Sequence, residues 1–146
     1  MRARNVLLAV TVTLLFSLIV VGAYVAADPA AGEACGSSAS WPLCNGQLLP
    51  YPSLPVIAEY SHRVLALFSA LFLFLTAAAF WRGGGTLGLS RTTLFLASLL
   101  MVFQIGLGDV VIGADLEPAL VALHQASAIT IFGLVVAALA ARNRTA

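Results

Sequence analysis

The sequence predicts an all-α integral membrane protein built as a bundle of four transmembrane helices. Its 146 residues are 61% hydrophobic and only 9% charged, with a mean hydropathy of +1.02, whereas soluble domains are about 25% charged. Four apolar runs each reach the roughly 20 residues that a helix needs to cross the hydrocarbon core. Because lipid offers no hydrogen-bond partner to a bare backbone group, such runs are expected to be helical. The net charge of +1 and the lack of a basic patch give no sign of nucleic-acid binding.

The four runs are interpreted as one domain that covers residues 1–146. They lie at about 5–27, 56–81, 92–114 and 118–141, and the long connection is 28–55. A cleaved signal peptide ending at Val25-Ala26-Ala27 is the alternative for the first run. Its apolar stretch exceeds the roughly 7–15 residues of a signal core, so a retained helix is favoured.

The arginines predict which side of the membrane each end occupies. The chain has no lysine, and its seven arginines are Arg2, Arg4, Arg63, Arg82, Arg91, Arg142 and Arg144. If the N-terminus is cytoplasmic, all of them except Arg63 fall on the cytoplasmic side, as the positive-inside rule requires. The loop acids then fall outside, namely Asp28, Glu33, Asp115 and Glu117. Both termini are therefore expected in the cytoplasm, with the long loop on the opposite side.

The long loop contains both cysteines of the chain, Cys35 and Cys44. Two cysteines on the oxidising side of a membrane most often form a disulfide, which would stabilise the loop by a few kcal/mol. We interpret the pair mainly as a structural staple. A redox role is the alternative, but the spacing is not CxxC, and no histidine lies nearby for a metal site.

The only two histidines, His62 and His124, both lie within predicted membrane spans. Their helices run from outside to inside, and each histidine is about 8–10 Å below the outer end at 1.5 Å per residue. An ionisable side chain at such a depth indicates a functional site. Small residues share the face of each histidine at helical spacings. They are Ala66 and Ser69 for His62, and Ser127 and Ala128 for His124.

A slot between small residues suits a flat macrocycle with one imidazole on each side of its iron, an established mode of haem ligation in helical bundles. The alternative is a pair of hydrogen-bonded packing residues. Haem is favoured because the two histidines lie at equal depth and are the only ones in the chain. Zinc would require more ligands than this pair supplies.

Three charged residues near the histidines are candidates for chemistry. Glu59 lies one turn before His62 and is a possible proton donor or acceptor, or else an acid stabilised by the helix dipole. Arg63 is placed to pair with haem propionates, or else to snorkel to the outer headgroups. Asp109, near the outer end of the third helix, is interpreted as an interfacial acid that could pair with Arg63.

Taken together, four stretches of the sequence resemble the haem A synthase family. They are Gly22-Ala23-Tyr24-Val25, the loop from Cys35 to Trp41-Pro42-Leu43-Cys44-Asn45-Gly46, the E-x-x-H-R motif Glu59-Tyr60-Ser61-His62-Arg63, and Gln104–Gly108 with Leu120-Val121-Ala122-Leu123-His124-Gln125. The resemblance covers nearly the whole chain. Usual members have eight helices in two halves, so this chain resembles a compact, half-size, archaeal-type member.

The resemblance implies an oxidoreductase that converts the C8 methyl group of haem O to a formyl group by successive hydroxylations, for use in cytochrome oxidase assembly. It implies that Glu59 is catalytic, that His62 and His124 ligate the haem iron, and that Cys35 and Cys44 are the family's loop cysteines. The bound group would be haem B, the substrate haem O, or both. The implied location is the plasma membrane of a prokaryote. The implied partners are further copies of the chain, haem O synthase, and a quinol or other electron partner.

Two other functions fit the same residues. A small bis-His b-type membrane cytochrome would carry electrons with His62 and His124 alone and give Glu59 no chemical task. A non-catalytic haem-binding subunit of oxidase assembly would form no haem A. The chain also mixes features of the family's two halves, because Gln125 follows His124 and eight residues separate the cysteines. The substrate-haem and electron-relay roles therefore stay unassigned.

Overall fold

The computed structural model of the chain describes residues 2–36, 40–82 and 88–143, which fold as four long helices and one short helix. In chain order they are α1 (Arg2–Ala27), α2 (Pro29–Gly32), α3 (Leu54–Arg82), α4 (Gly88–Gly113) and α5 (Pro118–Asn143). Helices α1, α3, α4 and α5 are long and apolar enough to cross a membrane, which confirms the all-α class and the four predicted spans. Arg144, which was used to predict the topology, lies outside the described residues.

The helix boundaries agree with the predicted ones to within four residues, and the one new element is α2. Four residues are too few to show helical periodicity, so α2 was not predicted. Asp28 caps this helix, since its side chain accepts a hydrogen bond from the Ala30 N–H at 3.1 Å, as polar N-cap residues do. Pro29 occupies the first helical turn, where a proline is well tolerated. The same proline ends α1, because its ring disfavours helical backbone angles at the preceding residue, Asp28, which is extended.

A tight turn joins α4 to α5 and contacts α2. Asp115 and Leu116 both have positive φ angles, of 50° and 59°, which few non-glycine residues adopt. The Leu116 side chain packs on Gly32, where an added Cβ atom would lie 2.6 Å from Leu116 Cδ1. Glu117 then caps α5 by accepting a hydrogen bond from the Leu120 N–H at 2.9 Å. The turn therefore fixes both the start of α5 and the position of α2.

The long helices pack as two neighbouring pairs, α1 with α3 and α4 with α5, and the pairs meet through α1–α5 and α3–α4 contacts. Each pair has a buried polar tie. The hydroxyls of Thr11 and Thr76 lie 2.9 Å apart between α1 and α3, and Ser90 donates to the Ala138 carbonyl at 3.1 Å between α4 and α5. Lipid tails are as apolar as these helices, so close packing and interhelical hydrogen bonds hold such a bundle together.

The packed core occupies one half of the bundle, near the start of α1 and the end of α3. Almost fully buried side chains form it, among them Leu8, Leu73, Phe80, Leu94 and Val135. Arg4 lies over the Phe80 ring with its Cζ atom 5.7 Å from the ring centroid, and Arg91 Nε donates to the Phe80 carbonyl at 3.1 Å. Two of the arginines that predict the cytoplasmic side thus meet at the same end of the bundle.

We expect Thr11→Val to lower the free energy of unfolding by about 1 kcal/mol, because it removes the buried contact with Thr76. Thr13→Val is the matched control, since the exposed Thr13 hydroxyl bonds to the Ala9 carbonyl of its own helix. Unfolding of the purified protein in mixed micelles, followed by circular dichroism, measures both. Equal effects of the two substitutions would mean that the contact between the helices contributes no stability.

Candidate functional site

A cavity of about 710 Å³ occupies the half of the bundle opposite the core. All four long helices line it with residues that lie three or four apart and so share one helical face. Leu15, Met101 and Ile131 belong to both the core and the cavity wall, so they form the cavity floor. The glycines and the polar or charged side chains of its wall are Gly22, Gly32, Glu59, His62, Arg63, Gln104, Gly106, Gly108, Asp109, His124 and Gln125.

His62 lies in α3, eight residues after the first residue of that helix and so about 12 Å along it. Its ring packs against Gly22 of α1. A Cβ atom added to Gly22 would lie 3.2 Å from His62 Nδ1 and only 2.8 Å from His62 Cε1, and the second distance is closer than real Cβ atoms approach. Position 22 therefore has to be glycine for the ring to stay where it is. The Nδ1 atom of His62 is buried and has no hydrogen-bond partner among the residues that the structure describes.

His124 is placed in the same way on the other helix pair. It lies six residues after the start of α5, about 9 Å along the helix. Its ring packs against Gly108 of α4, where an added Cβ atom would lie 3.3 Å from His124 Cε1. The Nδ1 atom of His124 is also buried without a partner. One cavity therefore receives two imidazoles from two helix pairs, each resting on a glycine of the neighbouring helix.

The buried Nδ1 atoms without partners fit a group that supplies a metal together with its other ligands. A buried polar atom without a hydrogen bond is costly, above all in lipid. Among residues 2–36, 40–82 and 88–143, no three His, Cys, Asp or Glu side chains are grouped so as to hold a metal ion by themselves. Two histidines in one cavity are sufficient for a haem iron, because the porphyrin provides the remaining four ligands. A haem therefore fits these residues better than a bare zinc ion does.

Glu59 and Arg63 form a buried ion pair at the cavity wall. Each residue is 3% exposed, and Arg63 Nε donates to Glu59 Oε1 at 2.8 Å. The other two nitrogens of Arg63 donate to the loop, Nη1 to the Leu43 carbonyl at 3.0 Å and Nη2 to the Gly36 carbonyl at 2.8 Å. A guanidinium taken out of water requires partners of this kind. Arg63 is thus an anchor of the loop.

This arrangement corrects one of the two interpretations given for Arg63, the alternative in which it reaches to the outer headgroups. Its side chain is turned inward and buried, because two carbonyls next to the cysteines accept its hydrogen bonds. A second expectation also needs correction. Of the small residues expected to flank the histidines, Ala66 and Ala128 line the cavity, whereas Ser69 and Ser127 do not. Asp109 lines the cavity on an exposed part of α4.

A disulfide between Cys35 and Cys44 closes the loop beside the cavity, as the sequence predicted. Both cysteines are fully buried, and the two carbonyls that bind Arg63 belong to the residues just after the first cysteine and just before the second. Trp41, between the cysteines, lines the cavity. The Tyr60 hydroxyl adds a further tie from α3 by donating to the Leu48 carbonyl at 2.7 Å. The loop therefore forms a fixed wall of the site.

Two residues of the site were not singled out by the analysis of the sequence, namely the glycines that seat the rings. Gly22 was noted only as part of a matching stretch, and Gly108 only as one of the glycines of the third helix that permit close helix packing or close approach of a ligand. Their role depends on which helices are neighbours in the bundle, and one amino-acid sequence does not specify this. The signal available was limited to a glycine within a membrane span, which permits close helix approach.

The fold and the site define a class of protein: a polytopic α-helical protein of membrane type, in which two helix pairs each present a histidine to one cavity. The chain belongs to the COX15-CtaA family of cytochrome oxidase assembly proteins, whose family model matches residues 5–146. This confirms the family that the sequence resembles.

Individual relatives carry a more specific name. The chain is similar to the haem A synthase of Halalkalibacterium halodurans, with 36% identity over 96 residues that cover 64% of this chain and 31% of the relative. The haem A synthase of Alkalihalophilus pseudofirmus is 35% identical over 96 residues, again 64% of this chain and 31% of the relative. That of Bacillus licheniformis is 35% identical over 119 residues, which cover 78% and 36% of the two chains.

The chain therefore spans about a third of the length of these curated relatives. No solved structure matches it.

We expect Arg63→Gln to speed hydrogen exchange in residues 40–49 and to destabilise the fold by about 3 kcal/mol, because it leaves the buried Glu59 carboxylate without its cation. Exchange followed by mass spectrometry on the detergent-solubilised chain measures the first effect. Arg91→Gln is the control, since it removes a hydrogen bond to Phe80 at the far end of the bundle. If loop exchange is the same in both variants and the parent, the loop does not depend on Arg63.

Proposed function

We propose that this chain is a haem A synthase, an oxidoreductase that converts the C8 methyl group of its substrate haem O to a formyl group by successive hydroxylations, with haem held between His62 and His124. The observation that carries the proposal is the pair of imidazoles that line one cavity, each with a buried and unpartnered Nδ1 atom. Family membership and the relatives named haem A synthase support it. Haem B, haem O or both would occupy the site.

Conversion of a methyl group to a formyl group is a four-electron oxidation. If the oxygen comes from water, each hydroxylation replaces one C–H bond with a C–O bond, and the doubly hydroxylated carbon then loses one water. The net change takes up one water and releases four protons and four electrons. A haem held by the histidines supplies one-electron chemistry, and a quinone or another membrane electron carrier accepts the electrons.

Glu59 is the proposed catalytic residue. It lines the cavity and lies three residues before His62, on the same face of α3. A carboxylate in this position can accept the protons that are released when C–H bonds are oxidised. The hydrogen bond from Arg63 to Glu59 Oε1 holds the carboxylate at the wall. Arg63 also lines the cavity, so it stays a candidate for binding a haem propionate.

The proposal includes a position in the membrane. Both termini face the cytoplasm of a prokaryotic cell, and the cavity lies on the extracytoplasmic side of the plasma membrane. Arg4 and Arg91 meet at the end opposite the cavity, in agreement with the positive-inside rule. The disulfide lies on the cavity side, where an oxidising compartment would maintain it. Self-association and contact with haem O synthase belong to the same proposal.

We expect haem A, or its hydroxylated precursor, in cells that make haem O only when this chain is expressed. The haem is extracted from the purified protein and identified by chromatography and mass. Haem O left unchanged beside bound haem B would favour an electron-carrying cytochrome. A protein free of haem would contradict the assigned role of both histidines.

We expect Glu59→Gln to abolish haem A formation while the haem content stays unchanged, because the amide can still accept the hydrogen bond from Arg63 but cannot take up a proton. Product is quantified against bound haem in the same preparation. Asp109→Asn, which changes another carboxylate of the same cavity, is the comparison. A fully active Glu59→Gln protein would contradict a catalytic role for Glu59.

We expect Gly22→Ala to weaken haem binding by about tenfold or more. Loss of a residue that orients a metal ligand typically costs about 10–100-fold in affinity, and displacement of the ligand itself should cost at least as much. The added Cβ atom would lie 2.8 Å from the His62 ring, so the ring has to move. Gly133→Ala is the control, because nothing lies within 4 Å of the Cβ atom it adds. Haem titration followed by absorbance measures both, and equal affinities in the two variants would contradict the placement of His62.

A further inference from the structure

We propose that Gln104 of α4 is the positioning residue for His124, holding its backbone so that the imidazole points into the cavity. The inference deepens the proposed function and rests on it for the purpose of the ring, but the contacts that carry it are independent of haem. Gln104 is 8% exposed and lines the cavity. Its side-chain Nε2 donates to the His124 carbonyl at 3.0 Å.

Both groups of the Gln104 amide are used at this point. The Ser127 hydroxyl makes a hydrogen bond with Gln104 Oε1 and also lies 3.1 Å from the His124 carbonyl. Ser127 is 9% exposed, so the contact is shielded. Within a helix the carbonyl of residue 124 already accepts a bond from the N–H four residues on. The bond from Gln104 is therefore an additional tie between α4 and α5 at the level of the histidine.

Helix α4 also contacts the ring of the same residue. Gly108 lies four residues after Gln104, on the same helical face, and provides the surface on which the His124 ring rests. Gln104 thus holds the backbone of His124 while Gly108 limits where its ring can go. A change at Gln104 would shift α5 relative to α4 and move the ring off that surface.

The tie is needed because the buried Nδ1 atom of the ring has no hydrogen bond to a described residue that would orient it. A ligating histidine usually donates its second ring N–H to an acceptor that fixes the ring plane. Among the described residues, no such acceptor is bonded to His124 Nδ1. The orientation of the His124 ring therefore has to come from its backbone, which Gln104 holds, and from packing, which Gly108 provides. His62 differs, because its neighbour Arg63 ties α3 to the disulfide loop.

The test uses the full chain in detergent, without haem, and the variant Gln104→Leu. Diethyl pyrocarbonate modifies accessible imidazoles, and the two histidines of the chain are separated by peptide mass spectrometry. We expect His124 to react about fivefold faster in Gln104→Leu, the change that loss of one ordinary hydrogen bond produces, while His62 keeps its rate.

Ser90→Ala is the matched control, because Ser90 also ties α4 to α5 through a carbonyl but at the core end of the bundle. It should cost stability and leave both histidine rates unchanged. Ser127→Ala keeps the bond from Gln104 and should give a smaller increase at His124. This variant maintains the test if Gln104→Leu fails to fold, and an unchanged His124 rate in it would then overturn the inference.

The inference is overturned if Gln104→Leu leaves the His124 rate unchanged, if it raises both histidine rates equally, or if Ser90→Ala has the same effect. Haem-loaded protein provides a second reading, since a displaced ligand alters the low-spin spectrum and the midpoint potential in Gln104→Leu but not in Ser90→Ala. A chain that makes no haem A, yet shows the selective rate increase, would refute the proposed function and keep the inference. Haem A formation by the parent chain, together with an unchanged His124 rate in Gln104→Leu, would support the proposed function and overturn the inference.

Discussion

The buried ion pair between Glu59 and Arg63 is the interaction on which the cavity side of the molecule depends. One guanidinium joins three parts of the chain that are distant in sequence, since Leu43 and Gly36 lie 20 and 27 residues before Arg63. In a poorly solvated environment, a cation is stable only with all its partners in place. The carboxylate, the disulfide loop and α3 are therefore held as one unit, and the loss of any one of them leaves a charge or carbonyl unpaired.

The two halves of the bundle serve different purposes. One half is filled by residues such as Phe80 and Leu73, which provide the close packing that stabilises helices in lipid. The other half is hollow and carries the polar groups. Leu15, Met101 and Ile131 lie at the boundary. A solid half allows a cavity of about 710 Å³ to persist, because the helices are held in register by contacts that the cavity does not interrupt.

The sequence predicted the four spans because each apolar run signals its own helix without reference to its neighbours. It also predicted the disulfide, from the expected side of the membrane. It placed His62 and His124 at one depth of about 8–10 Å, whereas α3 begins earlier than predicted, so His62 lies about 12 Å along its helix. It did not predict the partners of Arg63, because a loop without periodicity gives no register against α3. Nor did it predict the seats at Gly22 and Gly108, which depend on which helix faces which. Spacing along one helix fixes a face, whereas neighbours across helices are set by the packing of the whole bundle.

Each imidazole rests on a glycine of its own helix pair, His62 on α1 within the α1–α3 pair and His124 on α4 within the α4–α5 pair. The packing within a pair is more extensive than the packing between pairs. The bundle thus consists of two well-packed helix pairs, each of which holds one imidazole on a glycine, and the interface between the pairs is the less extensive one. A movement of one pair relative to the other would therefore change the distance between the rings while each ring keeps its contact with its glycine.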